Sequence, residues 1–259
     1  MLNVIKTRIK QGFQAIKDVR AVQLNKLFRG LPVIDNHGEC GVACRRCREL
    51  CPTGAISLDP IRIDLGKCVF CGDCQSGCPG NTIHFSNFHK LAAAAPENLI
   101  VDETVTADIY YQRALENSRE SSEKLKKLFK HSLKLRQVSA GGCNGCEMEL
   151  NACSNVNFDM QRFGIEFVAS PRHADGVVIT GPITENMAAA LEETYQATPD
   201  PKIVVLVGSC AISGGVFAAS SALQRNFLQQ HPIDLYVPGC PTHPLTFING
   251  ILDLLDFPF

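Results

Sequence analysis

The stretch Cys68-Val-Phe-Cys71-Gly-Asp-Cys74-Gln-Ser-Gly-Cys78-Pro79 constrains this chain more than any other. Thiols spaced so closely leave no room for a regular element of useful length between them. The segment must therefore fold around whatever the thiols hold. Upstream, Cys40-Gly-Val-Ala-Cys44-Arg-Arg-Cys47-Arg-Glu-Leu-Cys51-Pro52 has the same form, except that three residues rather than two separate its first pair. Residues 36–80 thus read as a loop-rich metal module closed by Pro79-Gly80, with a short strand expected at Asn81–Phe85.

The chain holds thirteen cysteines in 259 residues. Met1 to Arg20 carries charge throughout and lacks the apolar core of a secretory signal. Without export, cysteines at such density serve metal binding or redox work rather than disulfides. No apolar run reaches the roughly 18–20 residues that a transmembrane helix needs, so any membrane association is expected to be peripheral. A formal net charge of −1 gives no global steering toward nucleic acid, and none is expected as a partner.

The second cysteine run is C-x2-C-x2-C-x3-C-P, the bacterial ferredoxin signature, and Pro52-Thr-Gly-Ala-Ile after the first run matches the usual continuation. Two zinc sites could use eight cysteines, but they would not require two Cys-Pro endings at matched positions. Two [4Fe–4S] clusters are therefore expected. In such runs the cysteine ahead of proline serves the other cluster. That assigns Cys51, Cys68, Cys71 and Cys74 to one and Cys40, Cys44, Cys47 and Cys78 to the other. Cys40 is displaced by the extra residue, a bulge that Gly41 can absorb; otherwise a three-iron cluster or a different fourth ligand results.

Residues 1–30 are basic, with Lys6, Arg8, Lys10, Lys17, Arg20, Lys26 and Arg29 against Asp18 alone. Leu2, Ile5, Ile9, Phe13 and Ile16 recur at helical spacing, which predicts a basic amphipathic helix. It packs on its own domain or meets anionic lipid or a membrane subunit. After the metal module of residues 31–90, residues 91–133 read as a linker with a basic helix. Leu91–Thr106 is low in structure signal, and in Ala107–His131 the cations Arg113, Arg119, Lys124, Lys126, Lys127 and Lys130 outweigh Glu116, Glu120 and Glu123.

From Lys134 to the end at residue 259, strands alternate with helices. Strands are expected at Lys134–Ser139, Ile165–Ser170, Gly176–Gly181, Lys202–Ser209 and Asp234–Pro238, and helices at Glu147–Cys153, Thr184–Ala197, Gly215–Gln229 and Pro244–Leu255. The alternation predicts an α/β domain with a flavodoxin-like parallel sheet, preceded by the small two-cluster ferredoxin-like α+β domain. In open parallel sheets, sites form outside the carboxyl ends of the strands. Cys143 and Cys146 follow the first strand, in Gly141-Gly142-Cys143-Asn144-Gly145-Cys146-Glu147. Cys210 follows the fourth and Cys240 the fifth. Each sits beside glycine, which lets backbone and ligand approach closely. These four suit a third [4Fe–4S] cluster, with zinc as the alternative. The Gly208–Gly215 loop has neither a Walker lysine nor the dinucleotide spacing, which argues against a phosphate cradle. Cys153, in the helix after Cys146, reads as a buried structural thiol. Glu147 is a negative charge at a helix N-terminus or, more sharply, a proton relay or a tuner of cluster potential. Arg172 and His173 either stabilise a loop or face a partner.

Two resemblances follow from these residues. Residues 1–90, with Leu27-Phe28-Arg29-Gly30-Leu31-Pro32 ahead of the cysteines, resemble the two-cluster ferredoxin subunits of complex I and of formate hydrogenlyase-type hydrogenases. Cys-Asn-Gly-Cys-Glu at 143–147, Arg162-Phe163-Gly164-Ile165, Ser170 to Asp175, Thr180-Gly181-Pro182 and Pro238-Gly239-Cys240-Pro241 resemble the small subunit of group 4 membrane-bound [NiFe] hydrogenases, especially formate hydrogenlyase. The complex I subunit that holds the terminal cluster shares this fold. There the first motif is expected to carry adjacent cysteines, whereas Asn144-Gly145 separates them here, as in the hydrogenases.

The resemblance implies an oxidoreductase subunit on which electrons cross three [4Fe–4S] clusters to or from a nickel–iron site on a partner large subunit, for H2 evolution or oxidation. It implies membrane-embedded complex I-like partners and an electron donor that is an iron–sulfur protein or a formate dehydrogenase module. It also implies a cytoplasmic place on the inner face of the cell membrane, held through partner subunits. Alternatives are the equivalent subunit of a complex I-like ion-pumping oxidoreductase without nickel, and a ferredoxin-type carrier fused to a structural domain.

Overall fold

The α/β half is built on sequence that is apolar in continuous runs. Gly176–Thr180 (β8) and Ile203–Val207 (β9) are buried at every residue, the mark of strands covered on both faces. In the computed structural model, which describes residues 2–35, 44–114, 116, 125, 129 and 132–256, these strands join Leu133–Ser139 (β6), Ile165–Phe167 (β7) and Leu235–Val237 (β10) in one sheet, every pair parallel. The order is β10-β9-β8-β6-β7. Counted along the chain from β6, this is 2-1-3-4-5, the flavodoxin-like order, with its switch point between β6 and β8. Side chains alternate between two cores. Leu133, Leu135, Val178, Val205 and Val237 face one, Val138, Val177, Ile179, Val204 and Leu206 the other.

Gly145–Ala152 (α5) and Pro244–Leu254 (α9) cover the first face, and Glu185–Ala197 (α6) covers the second. The helix α9 is buried along nearly its whole length. A helix apolar all round needs cover on its outer side too. Val19 and Ala92 supply it within the same core, and Asn249 Nδ2 donates to the Val19 carbonyl at 3.0 Å.

The cysteine-rich half is small and α+β. Pro32–Ile34 (β1) pairs antiparallel with Ile83–Phe85 (β4). Ile56–Ser57 (β2), Arg62–Asp64 (β3) and Ile100–Asp102 (β5) form a three-stranded antiparallel sheet. Short helices Arg46–Leu50 (α2) and Asp73–Ser76 (α3) carry Cys47 and Cys74 into the core beside Leu31, Ile63, Leu65 and Val101.

Three expectations need correction. The N-terminal helix spans Leu2–Gln11 (α1) only and stops at Gly12, whose φ of +66° breaks the helix. Further on, Val19 leaves the surface for the α/β core. No residue of α1 is buried. The stretch 91–106 is no unstructured connection. Leu91 and Ala93 are buried, Ala93 bridges antiparallel to Tyr236 in β10, and β5 completes a sheet. Its alanines are small because backbones meet there. Finally, Gly215–Gln229 is not one helix. Ser209–Ser213 (α7), a 3-10 turn at Gly215–Phe217 and Phe227–Gln230 (α8) replace it. Gly214 and Gly215 both have positive φ, and residues 217–222 are exposed, with no apolar face to hold a helix. Residues 107–114 (α4) are helical as expected. Arg119, Glu120, Glu123, Lys124, Lys126, Lys127 and Lys130 lie outside the described residues, as do Cys40 and Gly41.

Candidate functional site

At the carboxyl end of β6 the chain turns through Cys143 and Asn144, the latter at φ +67°, before α5 begins. Beyond β9, Gly208 makes the turn into α7 with φ +89° and ψ +153°, a conformation essentially reserved for glycine. Its position has a second constraint. A Cβ there would lie 2.5 Å from Cys146 Sγ. A Cβ on Gly145 would touch Cys143 Sγ and Pro241, and one on Gly215 would stand 3.0 Å from Cys210 Sγ. Glycines beside the cysteines thus give three separate loops room to converge.

The thiols sense one another. Burial pushes Cys146 up to about 12, with Glu147, Cys210 and Cys240 adding repulsion. Burial raises Cys210 to about 11, with Cys240 and Cys143 adding to it. Cys240 is raised by burial and then by Cys143 and Cys71. Cys143 and Cys240 are exposed, and Cys146 and Cys210 half-buried. Their thiols are neighbours without meeting at a point. Among the described residues, no three His, Cys, Asp or Glu side chains stand close enough to hold a single metal ion.

Glu147 lies at the first turn of α5 and is 6% exposed. Its Oε1 accepts from Ser139 Oγ at 2.5 Å and from Thr180 Oγ1 at 2.8 Å. Those residues end β6 and β8, so the carboxylate pins the sheet's switch point directly behind Cys146. Arg225 was not foreseen. Its guanidinium donates to the carbonyls of Pro182, Cys210, Ala211 and Ile212 at 2.8–3.1 Å. It thereby caps α7 and offsets the thiols' repulsion at Cys210. No spacing in the sequence connects residue 225 with this loop. Arg172 and His173 lie exposed in a 3-10 turn.

In the cysteine-rich half, the two Cys-Pro endings fold alike. The Ala55 N–H donates to Cys51 Sγ and the Thr82 N–H to Cys78 Sγ, each four residues on and each at 3.3 Å. The Phe70 N–H donates to Cys68 Sγ at 3.4 Å. Burial raises Cys68 to about 12, with Cys74, Cys51 and Cys71 adding to it. Burial likewise raises Cys74 to about 11, with Cys71, Cys51 and Cys47 adding repulsion. Cys51, Cys68, Cys71 and Cys74 are therefore one neighbourhood. Cys44 is half-buried, two residues ahead of α2. Arg29 Nε donates to the Phe70 carbonyl at 2.6 Å, tying the segment ahead of the cysteines to the Cys68–Cys74 loop.

The halves meet at their sulfurs. Cys71 contributes to the charge felt at Cys240, and Ser209 Oγ donates to the Cys68 carbonyl at 2.5 Å. Cys153, by contrast, is fully buried in the α/β core, where its thiol faces the carbonyls of Glu149 and Pro244.

Comparison with known proteins places this geometry in context. The family described as NADH ubiquinone oxidoreductase, 20 Kd subunit, matches residues 143–254, a span that includes Cys143, Cys146, Cys210 and Cys240. The probable membrane-bound hydrogenase subunit mbhJ of Pyrococcus furiosus is 40% identical over 119 residues, covering 46% of this chain and 71% of that one. Formate hydrogenlyase subunit 7 of Escherichia coli is 41% identical over 126 residues, covering 49% of each chain. An NADH-quinone oxidoreductase chain of Citrifermentans bemidjiense is 42% identical over 111 residues, covering 43% of this chain and 65% of that one.

Proposed function

The chain belongs to the NADH ubiquinone oxidoreductase 20 Kd subunit family, and from that premise we propose that it is an electron-transfer subunit of a multisubunit hydrogenase of the formate hydrogenlyase kind. The relatives that carry this reading are themselves subunits of a membrane-bound hydrogenase and of formate hydrogenlyase. One observation supports it above the others: thiols from three strand ends share a neighbourhood with each other and, through Cys240 and Cys71, with the cysteine-rich half.

Cys143, Cys146, Cys210 and Cys240 would hold one [4Fe–4S] cluster, and Cys51, Cys68, Cys71 and Cys74 a second. Cys44, Cys47, Cys78 and Cys40 would hold a third. The residues suit such groups. Burial raises the thiols of Cys68, Cys74, Cys146, Cys210 and Cys240, so these thiolates resist forming until iron compensates them. Backbone N–H donors to Cys51, Cys68 and Cys78 sulfurs are the kind of contact that tunes a cluster. When bound, the clusters accept and release single electrons. The protein holds them at fixed separation, because the Ala93–Tyr236 bridge and the Ser209–Cys68 hydrogen bond weld the halves together.

The partner would carry the nickel–iron site. Cys143 and Cys240 are exposed, and so are Met148, Val216 and Phe217, which follow Cys146 and Cys210 closely in the chain. Exposed apolar side chains around a half-open site fit a protein partner seated over it. The exposed apolar residues of α1, Leu2, Ile5 and Ile9, fit a second contact toward the membrane side of the complex. Among the described residues, no helix is long and apolar enough to cross a membrane, so attachment to the inner face would run through such contacts. The relatives in NADH-quinone oxidoreductase favour a second reading, a complex I-like partner without nickel. The Asn144-Gly145 spacer speaks for the hydrogenase.

Anaerobic purification and iron analysis test the proposal. The expected content is about twelve iron atoms per chain, from three four-iron clusters. Cys210→Ser should lower it by about four, and Cys153→Ala should leave it unchanged. The chain without its large subunit should evolve no H2 from a reduced dye. An unchanged iron content in Cys210→Ser, or H2 from the isolated chain, would refute the assignment.

A further inference from the structure

Ser209 directly precedes Cys210 and is 1% exposed. A buried hydroxyl needs a partner, and this one has a choice. Its Oγ lies 2.5 Å from the Cys68 carbonyl and 3.2 Å from the Gly239 carbonyl. The Gly239 oxygen already accepts the Ser209 backbone N–H at 2.9 Å. A hydroxyl has a single proton to donate, and the shorter contact takes it. One side chain therefore joins the backbone of a cysteine in the Cys51/Cys68/Cys71/Cys74 neighbourhood to the residue beside a cysteine of the strand-end site.

We propose that the Ser209 hydroxyl is the electronic bridge between these two sites, closing a bonded route from Cys68 to Cys210 with one hydrogen bond. The route runs from Cys68 Sγ through Cβ, Cα and the carbonyl, across the hydrogen bond to Ser209 Oγ, and along the Ser209 backbone to Cys210 Sγ. Electronic coupling decays more slowly through bonded atoms than across van der Waals gaps. On this route a 2.5 Å hydrogen bond stands where a van der Waals gap would otherwise lie. The competing route is the approach of Cys71 to Cys240, which has no hydrogen bond between them in the structure. The step moves one electron: the group held by Cys68 is oxidised by one, the group held by Cys210 is reduced by one, and Ser209 keeps its proton. Ser209 is thus a positioning and coupling residue, not a ligand. The inference rests on the two cluster assignments proposed above.

The test compares the full chain with Ser209→Ala, Ser209→Thr and Ser209→Val, each prepared anaerobically and assayed for iron. The readouts are the magnetic interaction between the two reduced clusters by electron paramagnetic resonance and the rate of internal electron transfer after pulsed reduction. Ser209→Ala should keep the iron content of the parent, while the magnetic splitting shrinks and transfer slows several-fold. Ser209→Thr, which keeps a hydroxyl, should restore both. Ser209→Val has the shape of the threonine variant without its donor, so that pair separates loss of the hydrogen bond from disturbed packing if Ser209→Ala fails to load. Parental splitting and rate in an iron-replete Ser209→Ala or Ser209→Val would overturn the bridge and leave the cluster assignments standing. A parent chain with no cluster at Cys210 would instead overturn the assignments.

Discussion

Gly208→Ala is expected to remove about four of the roughly twelve iron atoms proposed above, and to spare the eight-cysteine module. Two effects act at the same atom. At φ +89° and ψ +153°, the alanine backbone is strained, by about 1–3 kcal/mol for a conformation essentially confined to glycine. The new Cβ would also stand 2.5 Å from Cys146 Sγ. A flexible side chain could swing away from such a contact at little cost. Cys146 as the proposed ligand could not, because its sulfur would have to stay in reach of iron. The strain therefore falls on ligation rather than on the core, which lies behind the strand. Iron analysis with electron paramagnetic resonance would read this directly: one signal lost, two retained. A Gly208→Ala chain with full iron would show that Cys146 is not a ligand.

The second large effect is expected at Gly30. A Cβ there would lie 1.9 Å from the Phe88 carbonyl oxygen and 2.7 Å from its carbon. Both are backbone atoms, and that oxygen already accepts the Leu31 N–H at 3.0 Å. Relief requires segment 28–34 to part from segment 83–89, the pair that β1 and β4 hold together. Overpacking of this kind costs about 1–3 kcal/mol or more. At about 2–4 °C per kcal/mol for a chain of this size class, Gly30→Ala should lower the melting temperature by roughly 2–12 °C. It should also loosen the Arg29 hold on the Cys68–Cys74 loop, so iron loss would begin in the cysteine-rich half. Gly54→Ala is the control. Nothing lies within 4 Å of its Cβ, and only its φ of +61° opposes the change, a cost of about 1–2 kcal/mol. A melting temperature for Gly30→Ala at or above that of Gly54→Ala would contradict the packing argument.

Much of the architecture was legible in the residues. The strands of the α/β half showed as apolar runs because both faces of a parallel sheet are covered, and their order of appearance already implied parallel pairing. The cysteines at 143, 146, 210 and 240 can be picked out along the chain because each comes after a strand of the parallel sheet. What misled was composition read locally. The alanines of 91–95 resemble a linker until Ala93 is seen bridging Tyr236. The helical look of 215–229 ignored two glycines at positive φ. The N-terminal periodicity continued past Gly12, where the backbone does not.

By itself, then, the sequence determined the cysteine runs, the alternation of strands and helices, and the glycines placed beside thiols. These are short-range patterns, set by spacing along the chain. Only the tertiary structure decided that Glu147 sits between Ser139 and Thr180 at the switch point, that Arg225 caps the Cys210 loop, and that Ser209 reaches Cys68. Each of these joins loops from different strands or halves. The partner is chosen by how the sheet orders its strands and by how the two halves dock, and neither leaves a periodic trace in the chain.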